Sequence, residues 1–65
     1  MYRVISNDGF LGLPVGRTCG TMPLPEKEAN ALYLKEKFVV EGMKFFCPNI
    51  FVHVEDDDGN VMVSA

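Results

Sequence analysis

The sequence predicts an α+β fold with the element order ββαββ, in which two hairpins form an antiparallel sheet and one helix packs on one face. Three stretches predict this fold: a helical run at residues 25–41, and the two turns Asp8-Gly9 and Asp58-Gly59, each of which separates apolar stretches. Because the chain has only 65 residues, we expect a single domain spanning residues 1–65.

The first hairpin is predicted at residues 2–15, with Asp8-Gly9 as a two-residue loop. This loop places Val4 opposite Leu13, and opposed residues share one face of a sheet. Pro14 cannot donate a hydrogen bond to a strand ladder, so the second strand is expected to lie at an edge or to end there. The predicted core face consists of Tyr2, Val4, Leu11, Leu13 and Val15.

The helix is predicted to begin at Pro25, which suits the first helical position. Glu26 and Glu28 then lie in the first turn, where the helix dipole favours acids. Gly42 is expected just after the C-cap, in a left-handed conformation. The apolar stripe predicted to face the core contains Ala29, Leu32, Val39, Val40 and Met43. A second set, Ala31, Leu34 and Phe38 with Tyr33 beside it, either widens this stripe or faces another copy of the chain.

The second hairpin is predicted at residues 50–64 around Asp58-Gly59. A two-residue loop pairs Val54 with Val63, Asp56 with Val61 and Val52 with Ala65. A three-residue loop would divide the valines between the two faces, so the apolar pattern selects the shorter loop. The inner face then carries Ile50, Val52, Val54, Val61 and Val63. The outer face carries Phe51, His53, Glu55, Asp57, Asn60, Met62 and Ser64.

Composition narrows the classes of function. Cys19, Cys47 and His53 are too few and wrongly spaced for a zinc site, and two cysteines make no disulfide scaffold, so we expect no metal and no cofactor. The six basic residues are dispersed and the net charge is −3, which argues against a nucleic-acid partner. No signal peptide or membrane span is indicated, which predicts a cytoplasmic protein with reduced thiols. A core this small favours a homo-oligomer.

No residue pattern predicts catalysis, so the chain is expected not to be an enzyme. A cysteine nucleophile would need a base and an orienting group, and His53 is the only histidine. Residues 56–60 carry acids at alternate positions, as in a calcium loop, but Val61 stands where that loop needs glycine and the glutamate of the twelfth position is missing. The loop at residues 16–21 lacks the lysine and the spacing of a Walker loop. Arg17 and Thr18 in this loop could still hold an anion or a nucleotide, which is the alternative hypothesis.

The strongest functional prediction is a protein-binding surface on the outer face of the sheet, since contiguous exposed apolar side chains mark interaction sites. Segments 44–47 or 22–24 could instead cover this face. The predicted apolar anchors are Phe10, Phe51, His53 and Met62. Rim charge that steers a basic partner would come from Asp56, Asp57 and Asp58.

The layout resembles that of small phage-encoded accessory proteins: a short first strand, a helix that ends near Val40-Glu41-Gly42, and a strand followed by residues 57–61, Asp-Asp-Gly-Asn-Val. The resemblance covers most of the chain and rests on layout, so it transfers no residue roles. It implies a single-domain protein in the host cytoplasm that binds and inhibits a host protein, often a defence or metabolic enzyme. The sequence therefore predicts a self-associating protein-interaction module.

Overall fold

A computed structural model describes all 65 residues. They form one helix, one four-stranded antiparallel sheet, and the turns and loops that connect them. The elements are β1 (Arg3–Ser6), β2 (Cys19–Gly20), α1 (Glu26–Met43), β3 (Val52–Glu55) and β4 (Val61–Ser64). The strand order is β2-β1-β3-β4, and α1 packs on one face of the sheet against β1 and β3. The α+β class and the ββαββ order are therefore confirmed.

The strand pairing predicted for the first hairpin is wrong. β1 pairs with β2 through Ile5–Gly20 and Ser6–Cys19, and residues 10–15 form no strand. The residues between the two strands form a wide loop, which is closed by a hydrogen bond of 2.8 Å from the Gly16 N–H to the Asn7 carbonyl.

Local hydrogen bonding at Asp8 explains this wide loop. The Asp8 side chain accepts a hydrogen bond of 3.0 Å from the Phe10 N–H, which makes an Asx turn in place of the tight two-residue loop. Gly9 and Gly12 both adopt positive φ, 83° and 81°, so the chain changes direction twice within four residues. Two of the side chains predicted for the core face, Leu11 and Val15, consequently remain exposed.

The second hairpin forms in the predicted register with one change. Val54 pairs with Val63, and Val52 and Ala65 exchange two backbone hydrogen bonds. The predicted pairing of Asp56 with Val61 is wrong, because Glu55 pairs with Val61 and the register shifts by one residue. Met62 is the extra residue of this bulge.

The bulge follows from the chemistry of the turn. The Asp56 carboxylate accepts the backbone N–H groups of Asp58 and Asn60, each at 2.9 Å, so the turn begins two residues before Asp58. Gly59 completes the turn with φ of 81°. Since paired residues share a face, Val61 lies on the outer face with Glu55, rather than on the predicted inner face.

α1 extends past the predicted end of the helix. Gly42 lies inside the helix and does not adopt positive φ, so the prediction of a left-handed residue there is wrong. Helical geometry continues through Lys44, whose N–H donates to the Val40 carbonyl at 2.9 Å. The chain then leaves the helix through a hydrogen bond of 2.7 Å from the Cys47 N–H to the Met43 carbonyl.

The core lies between the inner face of α1 and the inner face of the sheet. Tyr33, which was predicted beside the second stripe, is one of its members. Leu32 and Met43 pack at its margin, whereas Val39 is 39% exposed. The buried cluster consists of Val4, Ala29, Tyr33, Val40, Ile50, Val52 and Val54. No helix combines the length and the apolar character needed to cross a membrane.

Candidate protein-docking surface

The largest exposed apolar side chains of the protein lie on and just after α1. Leu34, Phe38, Phe45 and Phe46 are 55%, 83%, 87% and 82% exposed. We call these four residues the outward helix face. Segment 44–47 therefore does not cover the sheet, and Met22 in segment 22–24 is also 81% exposed.

Helix geometry places these side chains on one side of the molecule. Leu34 and Phe38 are four residues apart, and Phe45 follows Phe38 by seven residues, about two turns. The helical conformation of Lys44 carries this alignment past the last residue of α1. Phe46 joins the group through an edge-to-face contact with Phe45, with ring centroids 5.2 Å apart.

This surface lies opposite the core. Phe38 and the buried Val40 are two residues apart, which corresponds to about 200° around the helix. α1 is therefore apolar on two opposite sides. A helix of that kind is normally buried on both sides, whereas an ordinary surface helix presents charge to the solvent.

Charged side chains border the outward helix face. Lys37 and Glu41 lie one turn apart with their charged groups at 4.0 Å, and their side chains are 43% and 59% exposed. Lys35 and Lys44 are also exposed. An apolar centre with a charged rim is the usual composition of a protein interface.

The outer face of the sheet holds a smaller and more covered apolar group. Phe51 stacks on His53 with ring centroids 5.4 Å apart, and the His53 Nε2–H donates to Glu55 at 2.7 Å. Both rings are only partly exposed, as is Phe10. Ile5 is 9% exposed. A role for Phe10, Phe51 and His53 in partner binding stays a prediction.

Met62 does not join this group. Because of the bulge, it lines a groove of about 460 Å³ between β4 and the first turns of α1, together with Tyr2, Asn30 and Val63. The residues that the sequence predicted for one partner-binding surface therefore lie in two places, the outer face of the sheet and the groove beside the helix.

The three acids at the tip of the second hairpin have different surroundings. The backbone N–H groups of Asn60 and Asp58 hold the pKa of Asp56 below its usual value, so this carboxylate serves to form the turn. Asp57 lies 3.3 Å from the amino group of Met1. Asp58 is exposed.

The loop of the alternative hypothesis is partly a strand. Cys19–Gly20 forms β2, and Arg17 and Thr18 project from the preceding exposed turn. Neither residue lines the nearby cleft of about 220 Å³, which lies between Gly16 and the segment 47–50. Anion or nucleotide binding therefore gains no support from the shape of this loop.

A buried pair of carboxyl groups, Asp8 and Glu36, is a feature that sequence reasoning missed. The two residues are 8% and 6% exposed. Burial is the largest of the effects that raise the pKa of Glu36 from 4.5 to about 7. The hydrogen bond to Asp8 and the negative charge of Asp8 also raise this pKa, whereas the positive charge of Lys35 lowers it by less. A glutamate within the core stripe, between Tyr33 and Val40, is the sequence signal that could have revealed it.

Paired carboxyl groups can perform general acid–base catalysis when a substrate reaches them. Neither the groove nor the cleft is lined by Asp8 or Glu36. Asp8 also builds the fold, since its N–H donates to the Ser6 hydroxyl and its carboxylate accepts from Phe10. We therefore assign the pair a structural role.

Both cysteines are free thiols. The Cys19 Sγ donates to the Ser6 carbonyl at 3.6 Å, and Cys47 packs against the margin of the core.

Comparisons with known protein families, with curated proteins and with solved structures find no match for this chain. A functional interpretation therefore depends on the geometry and chemistry of the protein itself.

Proposed function

We propose that this protein is a non-enzymatic protein-interaction module, and that the outward helix face is its main docking surface. One observation carries the proposal: four large apolar side chains, three of them phenylalanines more than 80% exposed, lie on the side of α1 opposite the core. Aromatic residues of this kind supply most of the binding energy where they enter a partner's surface.

The size of this surface supports the proposal. Taking about 200 Å² for an aromatic side chain, the outward helix face presents about 600 Å² of apolar surface. The largest apolar patch of a typical monomer covers about 300–600 Å² and is often functional. A chain of 65 residues that exposes this much apolar area gains stability and solubility when a protein covers it.

Inhibition of a host protein, which the resemblance to phage-encoded accessory proteins implies, is the mode of action that we propose for the module. The partly exposed Phe51–His53 pair and the acidic hairpin tip are the surfaces left for such a target once the outward helix face is covered. In this division of roles the outward helix face serves self-association, and the Phe51–His53 pair with the acidic hairpin tip serves target binding. It predicts that Phe51→Asp weakens target binding while self-association persists.

Site-specific photo-crosslinking tests the docking surface. A photoreactive phenylalanine analogue at position 38 should form a covalent protein adduct in the cells that produce the protein. The matched control carries the same analogue at position 22, because Met22 is 81% exposed but lies outside the outward helix face. Adducts that form at position 38 and disappear in a Phe45→Asp background support the proposal. Equal yields at the two positions, or no adduct at position 38, would refute it.

A further inference from the structure

We propose that the outward helix face binds a second copy of this chain, as an antiparallel pair of α1 helices with the two-fold axis at Phe38. This inference rests on the proposed function, because it names the occupant of the same surface. Three observations support it: the order of large and small residues along the helix, the presence of a glycine inside the helix at position 42, and the apolar area available for an interface.

The exposed side of α1, continued to Phe45, carries large and small residues in a self-complementary order. Ala31, Leu34, Phe38, Gly42 and Phe45 follow one another at spacings of three, four, four and three residues. In an antiparallel pair centred on Phe38, Ala31 lies opposite Phe45 of the second copy. Gly42 then lies opposite Leu34 of the second copy, so each small residue faces a large one. A two-fold interface requires this kind of self-complementarity.

Neither backbone conformation nor space within the chain requires a glycine at position 42. It is helical, its φ is not positive, and a Cβ added to it would meet no atom within 4 Å. Glycine in a helix interior is unfavourable relative to alanine. Close approach of another helix would explain why this position is a glycine, because the missing side chain lets two helix backbones pack tightly.

The area suits a dimer. If each copy covers its outward helix face, the two copies bury about 1,200 Å² together, the lower limit of a standard specific interface. The chain has eight buried apolar residues of its own. A domain with so small a core commonly relies on oligomerisation.

The charged border is compatible with this register. Lys37 and Glu41 lie on the same flank of α1, at 4.0 Å. The two-fold axis sets this pair beside its own copy in the reverse direction, because Lys37 and Glu41 both lie within one turn of Phe38. Each lysine is then as near to a glutamate of the second copy as to the second copy's lysine, so attraction offsets repulsion on this flank.

The experiment measures solution mass by light scattering from about 1 μM to about 1 mM, a range that covers weak and moderate dissociation constants. The wild type should change from the mass of one chain, 7.2 kDa, to twice that mass. Phe38→Asp, which sets two carboxylates face to face at the axis, should raise the dissociation constant at least about a hundredfold. Met22→Asp, a matched change outside the surface, should leave it unchanged.

Gly42→Gln tests the register separately from hydrophobicity. Glutamine favours a helix more than glycine does, so the isolated chain should fold at least as well, as circular dichroism will report. The added side chain should nevertheless raise the dissociation constant at least about tenfold, because it occupies the space proposed for Leu34 of the second copy. A wild type that stays monomeric at about 1 mM, or a dimer that both variants leave intact, would overturn the inference.

The identity of the adduct at position 38 separates failure of this inference from failure of the proposed function. An adduct of this chain with itself supports the second copy. An adduct with a different protein only overturns the second copy and leaves the docking surface in place. If position 38 gives no more adduct than position 22, both proposals fail.

Discussion

The buried Glu36 makes the stability of the fold depend on pH in an unusual direction. In the folded protein its pKa is about 7, whereas 4.5 is its ordinary value and that of an unfolded chain. Between these values the folded state holds a proton that the unfolded state has released. The free energy of unfolding should therefore be highest below pH 4.5, fall as pH rises toward 7, and level off above it.

The size of this effect follows from the shift. One pKa unit corresponds to about 1.4 kcal/mol, so the ionisation of Glu36 should remove about 3 kcal/mol between pH 4.5 and pH 8. Domains of this length have total stabilities of roughly 3–10 kcal/mol. The ionisation of Glu36 should thus remove a large share of the total free energy of unfolding. Asp56, whose pKa is lowered, acts below pH 4 and in the opposite direction, so the two effects do not overlap.

Urea unfolding at pH 5 and pH 8, followed by circular dichroism, measures this difference. The wild type should be less stable at pH 8 by about 2.5 kcal/mol. Glu36→Gln should remove most of the dependence and be more stable than the wild type at pH 8, because the amide N–H can donate to the otherwise unpartnered Asp8 Oδ2. Glu41→Gln is the matched control on the same helix. Its exposed pair with Lys37 is worth little, so the slope should be unchanged.

One outcome would refute this reasoning. If the wild type is equally stable at pH 5 and pH 8, and Glu36→Gln follows it at both, then Glu36 does not hold a proton in the folded state. A pH dependence that persists unchanged in Glu36→Gln would instead place the responsible group elsewhere.

Two further substitutions test contacts that hold the sheet together, and a third, at Gly42 in α1, is their control. Asn7→Ala should cost about 1–3 kcal/mol in urea unfolding, because Asn7 Oδ1 accepts the Phe51 N–H at 2.7 Å; an unchanged midpoint would show that water replaces this bond. Gly20→Ala should cost about 1 kcal/mol, since a Cβ there would meet the end of the Ile5 side chain, which must turn away. Gly42→Ala, where a Cβ meets open space, should instead raise the stability of the isolated chain by up to about 1 kcal/mol. Equal costs at the two glycines would contradict this account.

The two Asp-Gly turns explain why one hairpin was predictable and the other was not. The alternating valines on both sides of Asp58-Gly59 fix the pairing of Val54 with Val63, and only the bulge beside the turn escapes the pattern. Around Asp8-Gly9 the second strand contains Pro14, which cannot donate to a ladder. Here the local hydrogen bond from Phe10 to Asp8 prevails over weak strand propensity.

The outward helix face was only partly predicted, for a related reason. Gly42 resembles a helix stop signal, so the prediction ended the stripe of Ala31, Leu34 and Phe38 before it reached Phe45. With the helix extended through Met43, the same spacing includes Phe45. The position of Glu36 in the core stripe signals a buried acid, but its partner Asp8 was beyond prediction, because the two residues are 28 positions apart in the sequence and meet only through the shape of the wide loop.

The acid pair and the outward helix face lie on opposite sides of α1, and together they predict how stability depends on concentration. Above pH 7 the ionised Glu36 leaves the isolated chain weakly stable, so burial of Phe38 against a second copy should supply a larger share of the stability. The unfolding temperature of the wild type at pH 8 should then rise by roughly 5 °C for each tenfold increase in concentration. Phe38→Asp should show no such rise. A wild-type unfolding temperature that is independent of concentration would mean that the fold is complete in one chain.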